Sequence, residues 1–181
     1  MARFQINKNG SGCYFCTCTI VQWICIFKEE KYSQLIIDSL TYSREHKGLL
    51  LFAYVIMLNH IHLIISIKEG LSISDFMRDF KRYTSKRIAG ELSNENNKLF
   101  LYIFRKAAEK QNKGVRFKIW RDNFHPMEII SEKWFDQKIK YIHLNPVCKG
   151  FVLRPEDWKY SSARNWILDD NSLIKLDIEK L

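Results

Sequence analysis

The chain has 181 residues and a mass of 21.7 kDa, room for one domain with an appendage, and 46% hydrophobic with 14% aromatic residues exclude a disordered polymer. Twenty-nine Lys and Arg against 20 Asp and Glu leave a formal charge of +9, which favours a polyanionic partner such as nucleic acid over an acidic small molecule. No apolar run reaches the roughly 18 residues of a membrane span, and the opening MARFQINKNGSG lacks the apolar core of a signal peptide. The expectation is therefore a cytoplasmic protein without a membrane partner.

Cysteine usage agrees with that location. Cys13, Cys16, Cys18 and Cys25 crowd near the start and Cys148 stands far away, an odd set unsuited to a disulfide framework. Cys13-x-x-Cys16-x-Cys18 has the spacing of half a zinc site, but no second Cys or His pair follows at finger-like distance. Its surroundings, YFCTCTIVQWICIF, have strand character, so the thiols read as small buried or edge residues.

After a polar lead containing Gly10 and Gly12, residues 13–27 read as one strand or two halves with a kink. The period then changes. Tyr32, Leu35, Ile36, Ser39, Leu40 and Ser43 share one face of a helix over 29–47, with Gly48 as its stop. Two short apolar runs follow in LLLFAYVIMLNHIHLIIS, Leu49 to Ser66, parted by Leu58-Asn59 and read as two buried strands with a hairpin-like link. A helix capped by Ser72 extends to about Ile88, with Ile73, Phe76, Met77, Phe80 and Tyr83 as its apolar stripe. Arg78, Arg82 and Lys86 stack four apart on another face, with Lys81 and Arg87 nearby, the pattern of a helix touching phosphates or simply of a solvated face. Residues 91–114 read as a polar loop with at most a short helix, and 115–120 as a further strand.

The final segment of the core is a helix capped by Ser131, in which Phe135, Ile139 and Ile142 form the buried stripe. Trp134, Lys138, Tyr141 and Asn145 repeat that spacing about 100° around, so Tyr141 borders the core face, while His143 falls on the far side as a surface residue. Pro146 disfavours helical geometry at Asn145 and sets the expected end there, with Gly150 in the turn beyond. The order strand, helix, strand, strand, helix, strand describes an α+β, ferredoxin-like sandwich: an antiparallel sheet with helices on one face, plus the late helix carrying the tyrosine. The whole of 1–181 is expected as one domain, its core about 13–150 and a C-terminal extension about 151–181.

In a strand the side chains of His60 and His62 project from one face while Ile61 points to the other. Two imidazoles side by side on a rigid element make half a metal site, or two half-exposed surface residues. Taken alone, Tyr141 reads equally as an amphipathic residue at a core edge, and Tyr83 and Tyr160 are rivals. Arg121, His125 and Lys140 are further candidates for phosphate or substrate contact.

The segments NHIHLII, FKRYTSKRI, IWRDNFHPMEII, KIKYIHLNPVCKGFV and RPEDWKYSSARNW, in that order over about 14–176, resemble the REP-associated tyrosine transposases, a branch of the single-tyrosine HUH transposases. The resemblance implies a ferredoxin-like fold, a divalent metal, Mg²⁺ or Mn²⁺, on a His pair, and cleavage and rejoining of single-stranded or hairpin DNA. Carried over by position, His60 and His62 match the metal-binding pair, Tyr141 the nucleophile and Asn145 a third ligand; the basic residues Arg78, Lys81, Arg82, Lys86, Arg87 and Arg121 are the expected DNA contacts on grounds of charge. Leu58 departs from the pattern, where a Pro or small residue often precedes the Asn, and this affects a turn only.

Such groups suit the reaction. A cation on the His pair would polarise a phosphodiester, and tyrosine attack would leave a 5′-phosphotyrosine and a free 3′ hydroxyl, so that strands rejoin without ATP. The enzyme would work as a monomer or homodimer at the bacterial nucleoid. Two other readings stay open: a domesticated hairpin-binding protein without turnover, and an RNA-binding module on the same sandwich.

Overall fold

The computed structural model describes residues 12–110, 114–122 and 125–181; the polar lead up to residue 11 lies outside them. Four strands, β1 (Tyr14–Thr19), β2 (Leu49–Ile56), β3 (His60–Ile67) and β4 (Met127–Glu128), form one antiparallel sheet in the order β2-β3-β1-β4. Helices α1 (Glu30–His46), α2 (Ile73–Asn94) and α3 (Lys98–Glu109) share one core with a face of this sheet, and α4 (Glu132–Cys148) covers the other. The sandwich and its late helix are thus as expected from the sequence.

Strand alternation divides the core in two. Cys16, Cys18, Ile61, Leu63, Ile65 and Ile67 meet Leu35, Ile36 and Leu40 of α1 and Met77, Phe80 and Ile88 of α2. Phe15, Val55 and Ile64 point the other way, toward Phe135 and Ile142 of α4. Between Leu51 and Ala53 the β2–β3 register slips by one residue. This bulge puts both Phe52 and Ala53 in the α4-side core, where the Phe52 ring meets that of Phe135 at 6.4 Å.

Several local readings are corrected. The first strand stops at Thr19 and gives way to two 3₁₀ turns, Val21–Trp23 and Ile26–Lys28, because Gln22 and Trp23 both take left-handed backbone angles, φ 54° and 58°. α2 passes Gly90 and ends at Asn94. Its buried stripe runs through Met77, Phe80, Thr84 and Ile88, and Tyr83 is exposed. Within the stretch read as a loop with at most a short helix, residues 98–109 form the 12-residue α3, capped by the Asn97 side chain. Residues 115–120 build no strand; Trp120 makes only an isolated bridge to Ile20 and donates its indole N–H to Thr84 Oγ1 at 2.9 Å. The fourth strand is the short Met127–Glu128 pairing instead.

α4 continues one turn beyond the expected stop, through Pro146. A proline removes a single intrahelical donor, and a Schellman cap completes the end: the Phe151 N–H reaches the Pro146 carbonyl at 3.0 Å and the Gly150 N–H reaches Val147 at 2.9 Å, with Gly150 at φ 71°. Asn145 is thereby fixed inside the helix. His143 is buried rather than on the surface, its Nε2 2.9 Å from Ser162 Oγ.

The segment after α4 returns along the β2 edge. The Ile56 N–H donates to Tyr160, the Ser162 N–H to Tyr54 and the Asp177 N–H to Leu51, all at 2.9 Å. Asp177 also accepts from the Leu51 N–H at 3.0 Å and pairs with Arg44 at 2.8 and 3.0 Å, both side chains nearly buried. Cys16 and Cys18 lie in the core under α1 and α2 while Cys13 lies in the core under α4, so the three thiols do not converge. Burial pushes the Cys13 thiol up to about 12 and Cys18 up to about 11, which keeps them protonated packing residues.

Two stability predictions follow from this packing. Asp177→Ala leaves the Arg44 guanidinium buried without its carboxylate and should cost roughly 3 kcal/mol in urea unfolding. Burial lowers His143 from 6.5 to about 4, so the unfolded chain binds the extra proton and stability should fall as pH drops from 6.5 toward 4. His143→Gln should make that fall shallower.

Candidate active site

His60 and His62 lie on β3 with their rings 4.9 Å apart, on the face that α4 covers. Opposite His62 in the register is Thr17 of β1, and opposite His60 is Thr19. Thr17 Oγ1 sits 2.8 Å from His62 Nδ1, and Phe15, two residues earlier on the same face, stacks on the His62 ring at 5.3 Å. β1 therefore supplies both the polar and the aromatic support of His62.

Asn59, in the β2–β3 link, supports His60. Its Nδ2 donates to the Trp23 carbonyl at 3.2 Å, which makes Oδ1 the acceptor facing His60 Nδ1 at 2.7 Å. The proton of His60 consequently rides on Nδ1 and Nε2 keeps its lone pair. At His62 the Nε2 atom is buried without a partner. An orphaned buried N–H is rarer than an under-used lone pair, so Nδ1–H donates to Thr17 and Nε2 is bare here as well. Burial, with the Lys149 charge second, holds His60 below the ordinary imidazole value. Burial first, then His60 and Lys138, pushes His62 down to about 3. Both rings are neutral at pH 7, the state that binds metals.

α4 brings the remaining groups. The Tyr141 ring meets His62 edge-on at 5.2 Å and Phe15 at 5.9 Å, yet the residue stays 49% exposed. One turn later Asn145 is 8% exposed, and its Oδ1 has no hydrogen-bond partner. Orphaned polar atoms in a buried setting ask for a ligand. Here two of them, His62 Nε2 and Asn145 Oδ1, come from the two elements that flank the phenol. Among the described residues no three His, Cys, Asp or Glu side chains gather as a metal cluster. Neutral imidazole nitrogens and an amide oxygen are donor types that suit a divalent cation and leave its charge uncompensated.

Sequence reasoning missed Lys138 and Lys149 as site residues. Lys138 Nζ lies 4.7 Å from the Phe15 ring and its charge reaches His62, while that of Lys149 reaches His60. Lys138 was legible in the helical stripe of Tyr141, three residues away, but nothing in the sequence set it beside the imidazoles. Thr17 gave no signal, since only the strand register makes it a partner of His62.

The expected DNA contacts separate into two groups. Arg78 pairs with Asp75 at 2.6 Å and with Asp79 at 3.3 Å, Arg82 pairs with Asp79 at 3.1 Å, and the Arg87 Nη1 donates to Tyr83 at 3.0 Å. All lie on α2, which packs against the sheet face opposite the His pair. Arg121 is nearer the site: its N–H donates to Thr19 at 2.8 Å, its carbonyl accepts from Lys81 at 3.4 Å, and its guanidinium lies 5.2 Å from the Trp23 ring. Lys81, Arg82, Lys86, Arg116 and Arg121 line an open groove between α2 and residues 115–122, of about 910 Å³, so that Arg82 belongs to both groups. His125 and Lys140 are both exposed.

The sandwich thus sets a His-x-His strand beneath a tyrosine on the covering helix α4. The profile of the IS200-like transposases matches residues 22–145, more than half of the chain, and the protein belongs to that family. Its fold is similar to that of a REP-associated tyrosine transposase solved bound to a REP hairpin, with TM-score 0.61 and 21% identity, over 90% of this chain and 81% of the other. A transposase candidate from Deinococcus radiodurans R1 aligns with TM-score 0.46 and 19% identity over 78% of this chain and 95% of that one. No curated protein sequence matches.

The ring assignments are open to direct measurement. In long-range ¹H–¹⁵N spectra at pH 7 with EDTA, His60 and His62 should both carry the proton on Nδ1. A protonated Nε2 on either ring contradicts the arrangement deduced for it.

Proposed function

We propose that this chain is a DNA strand transferase that cuts and rejoins single-stranded or hairpin-flanked DNA through a covalent tyrosine intermediate. The observation that carries the reading is the pair of orphaned donors, His62 Nε2 and Asn145 Oδ1, flanking an accessible Tyr141 in the same chain. Family membership and the likeness in fold to a hairpin-bound relative support the choice of DNA.

His60, His62 and Asn145 would hold Mn²⁺ or Mg²⁺, which when bound polarises the scissile phosphate as a Lewis acid. Imidazole donors suit Mn²⁺ better than Mg²⁺, which prefers oxygen. Thr17 and Asn59 orient the two rings through Nδ1 and keep both Nε2 lone pairs available, the usual role of outer partners at such sites. The Tyr141 phenol oxygen forms a bond to phosphorus as the bond to the 3′ oxygen breaks. The phenol proton is lost to solvent and the departing oxygen gains one. The product is a 5′-phosphotyrosine and a 3′ hydroxyl, and attack by a second 3′ hydroxyl reverses the step with no external energy source. Lys138, whose charge reaches His62, and Lys149, whose charge reaches His60, favour an anionic phosphate where neutral ligands could not. The contact of Tyr141 with His62 within one chain supports a cut made without a second subunit.

Labelled single-stranded DNA carrying a hairpin, incubated with the protein and Mn²⁺, should yield an adduct that survives denaturant. Tyr141→Phe should abolish it, a loss of at least about 10³-fold for removal of a nucleophile, and EDTA should do the same. Equal adduct from the wild type and Tyr141→Phe would overturn the assignment. Tight, metal-independent hairpin binding with no adduct from the wild type would point to a DNA-binding protein without turnover.

A further inference from the structure

We propose that Trp23, with Arg121, forms a stacking platform for an unpaired base next to the scissile phosphate. The proposal rests on the strand-transferase reading above and deepens it, by assigning a position to the strand that the site acts on.

Three independent features meet at Trp23. Its indole is 54% exposed, although tryptophan is among the residues with most to gain from burial. It and Gln22 sit in consecutive left-handed conformations, φ 58° and 54°, which non-glycine residues rarely adopt and which persist only where surroundings impose them. The surroundings here are explicit. The Val21 N–H donates to Ile119 at 2.8 Å, the Trp23 N–H to Ile20 at 3.1 Å, and the Trp23 carbonyl accepts from Asn59 Nδ2. A strained turn is thus tied down on both sides, and its product is an indole held out in solvent.

The third feature is position. The Trp23 ring stands edge-on to His60 at 6.4 Å, and the same Asn59 amide that grips its carbonyl orients the His60 ring. The Arg121 guanidinium lies 5.2 Å from the indole, and Arg121 also lines the basic groove shared with Lys81, Lys86 and Arg116. An aromatic face accepts any base, and a neighbouring arginine supplies charge for the backbone, the combination by which proteins hold single strands. A paired base is stacked on its own neighbours and offers no face, so the occupant is single-stranded DNA. Its backbone leaves the imidazoles over Trp23 and enters the groove at Arg121.

The test uses the full chain in the Tyr141→Phe background with EDTA, so that binding is read apart from cleavage. A fluorescein-labelled 12-nucleotide single strand and its blunt duplex serve as probes. Trp23→Ala should weaken single-strand binding roughly ten-fold or more, with little change for the duplex. Trp23→Phe should keep most of the affinity but lose the share of intrinsic fluorescence quenching that Trp23 contributes on saturation. Arg121→Gln should reduce the slope of log affinity against log salt by about 0.7. If Trp23→Ala proves unfolded by circular dichroism, the quenching and the salt slope decide. Unchanged affinity and quenching in folded Trp23 variants, while Tyr141-containing protein still forms its adduct, would overturn the platform alone. Absence of both adduct and DNA binding in the wild type would overturn it together with the reading on which it rests.

Discussion

The site depends on one packing contact, that of α4 with the second face of the sheet. Phe135 and Ile142 sink among Phe52, Ala53, Val55 and Ile64, and the bulge in β2 enlarges that contact by turning two adjacent residues to the same side. At about 25 cal/mol per Å² of apolar surface, burying two such side chains stabilises the docked helix by several kcal/mol. That suffices to fix both its height and its rotation. Rotation is the critical quantity, because Tyr141 flanks the buried stripe, and a turn of the helix by one residue, about 100°, would carry its ring away from His62.

Electrostatics works along with that packing. Both imidazoles are pressed toward neutrality by burial and by nearby cations, which would be a handicap in a general acid but suits a ligand. The same lysines that make protonation costly make an anion welcome. The rest of the positive charge is distributed differently from what a helical reading of α2 suggests. Arg78 and Arg82 are matched by Asp75 and Asp79 in the helix itself, and the groove beside residues 115–122 joins Lys81, Arg82 and Lys86 of α2 with Arg116 and Arg121.

Much of this could be read from the chain. Period-two alternation placed His60 and His62 together on β3, and period 3.6 placed Tyr141 and Asn145 on one flank of α4. Those are local regularities, set by backbone geometry. What escaped notice depends on tertiary pairing. Thr17 matters only through the β1–β3 register. Residues 115–120 alternate like a strand, but the sheet edge beside β1 goes to Met127–Glu128, leaving Trp120 to pack on Thr84. His143 looked exposed because Ser162, 19 residues away, was invisible as its neighbour. Pro146 disfavours the last turn through its missing donor and its ring clash, but a glycine cap and a packed helix face carry α4 past it. The left-handed pair Gln22-Trp23 has no glycine to announce it.

The return of residues 160–162 and 177 along β2 has a bearing on assembly. An open strand edge offers a row of amides and carbonyls on which another polypeptide can crystallise its own strand. On this side of the sheet those groups at Leu51, Tyr54 and Ile56 are already taken by the same chain. Continuous cross-molecule sheets are therefore blocked at β2 unless the tail peels away.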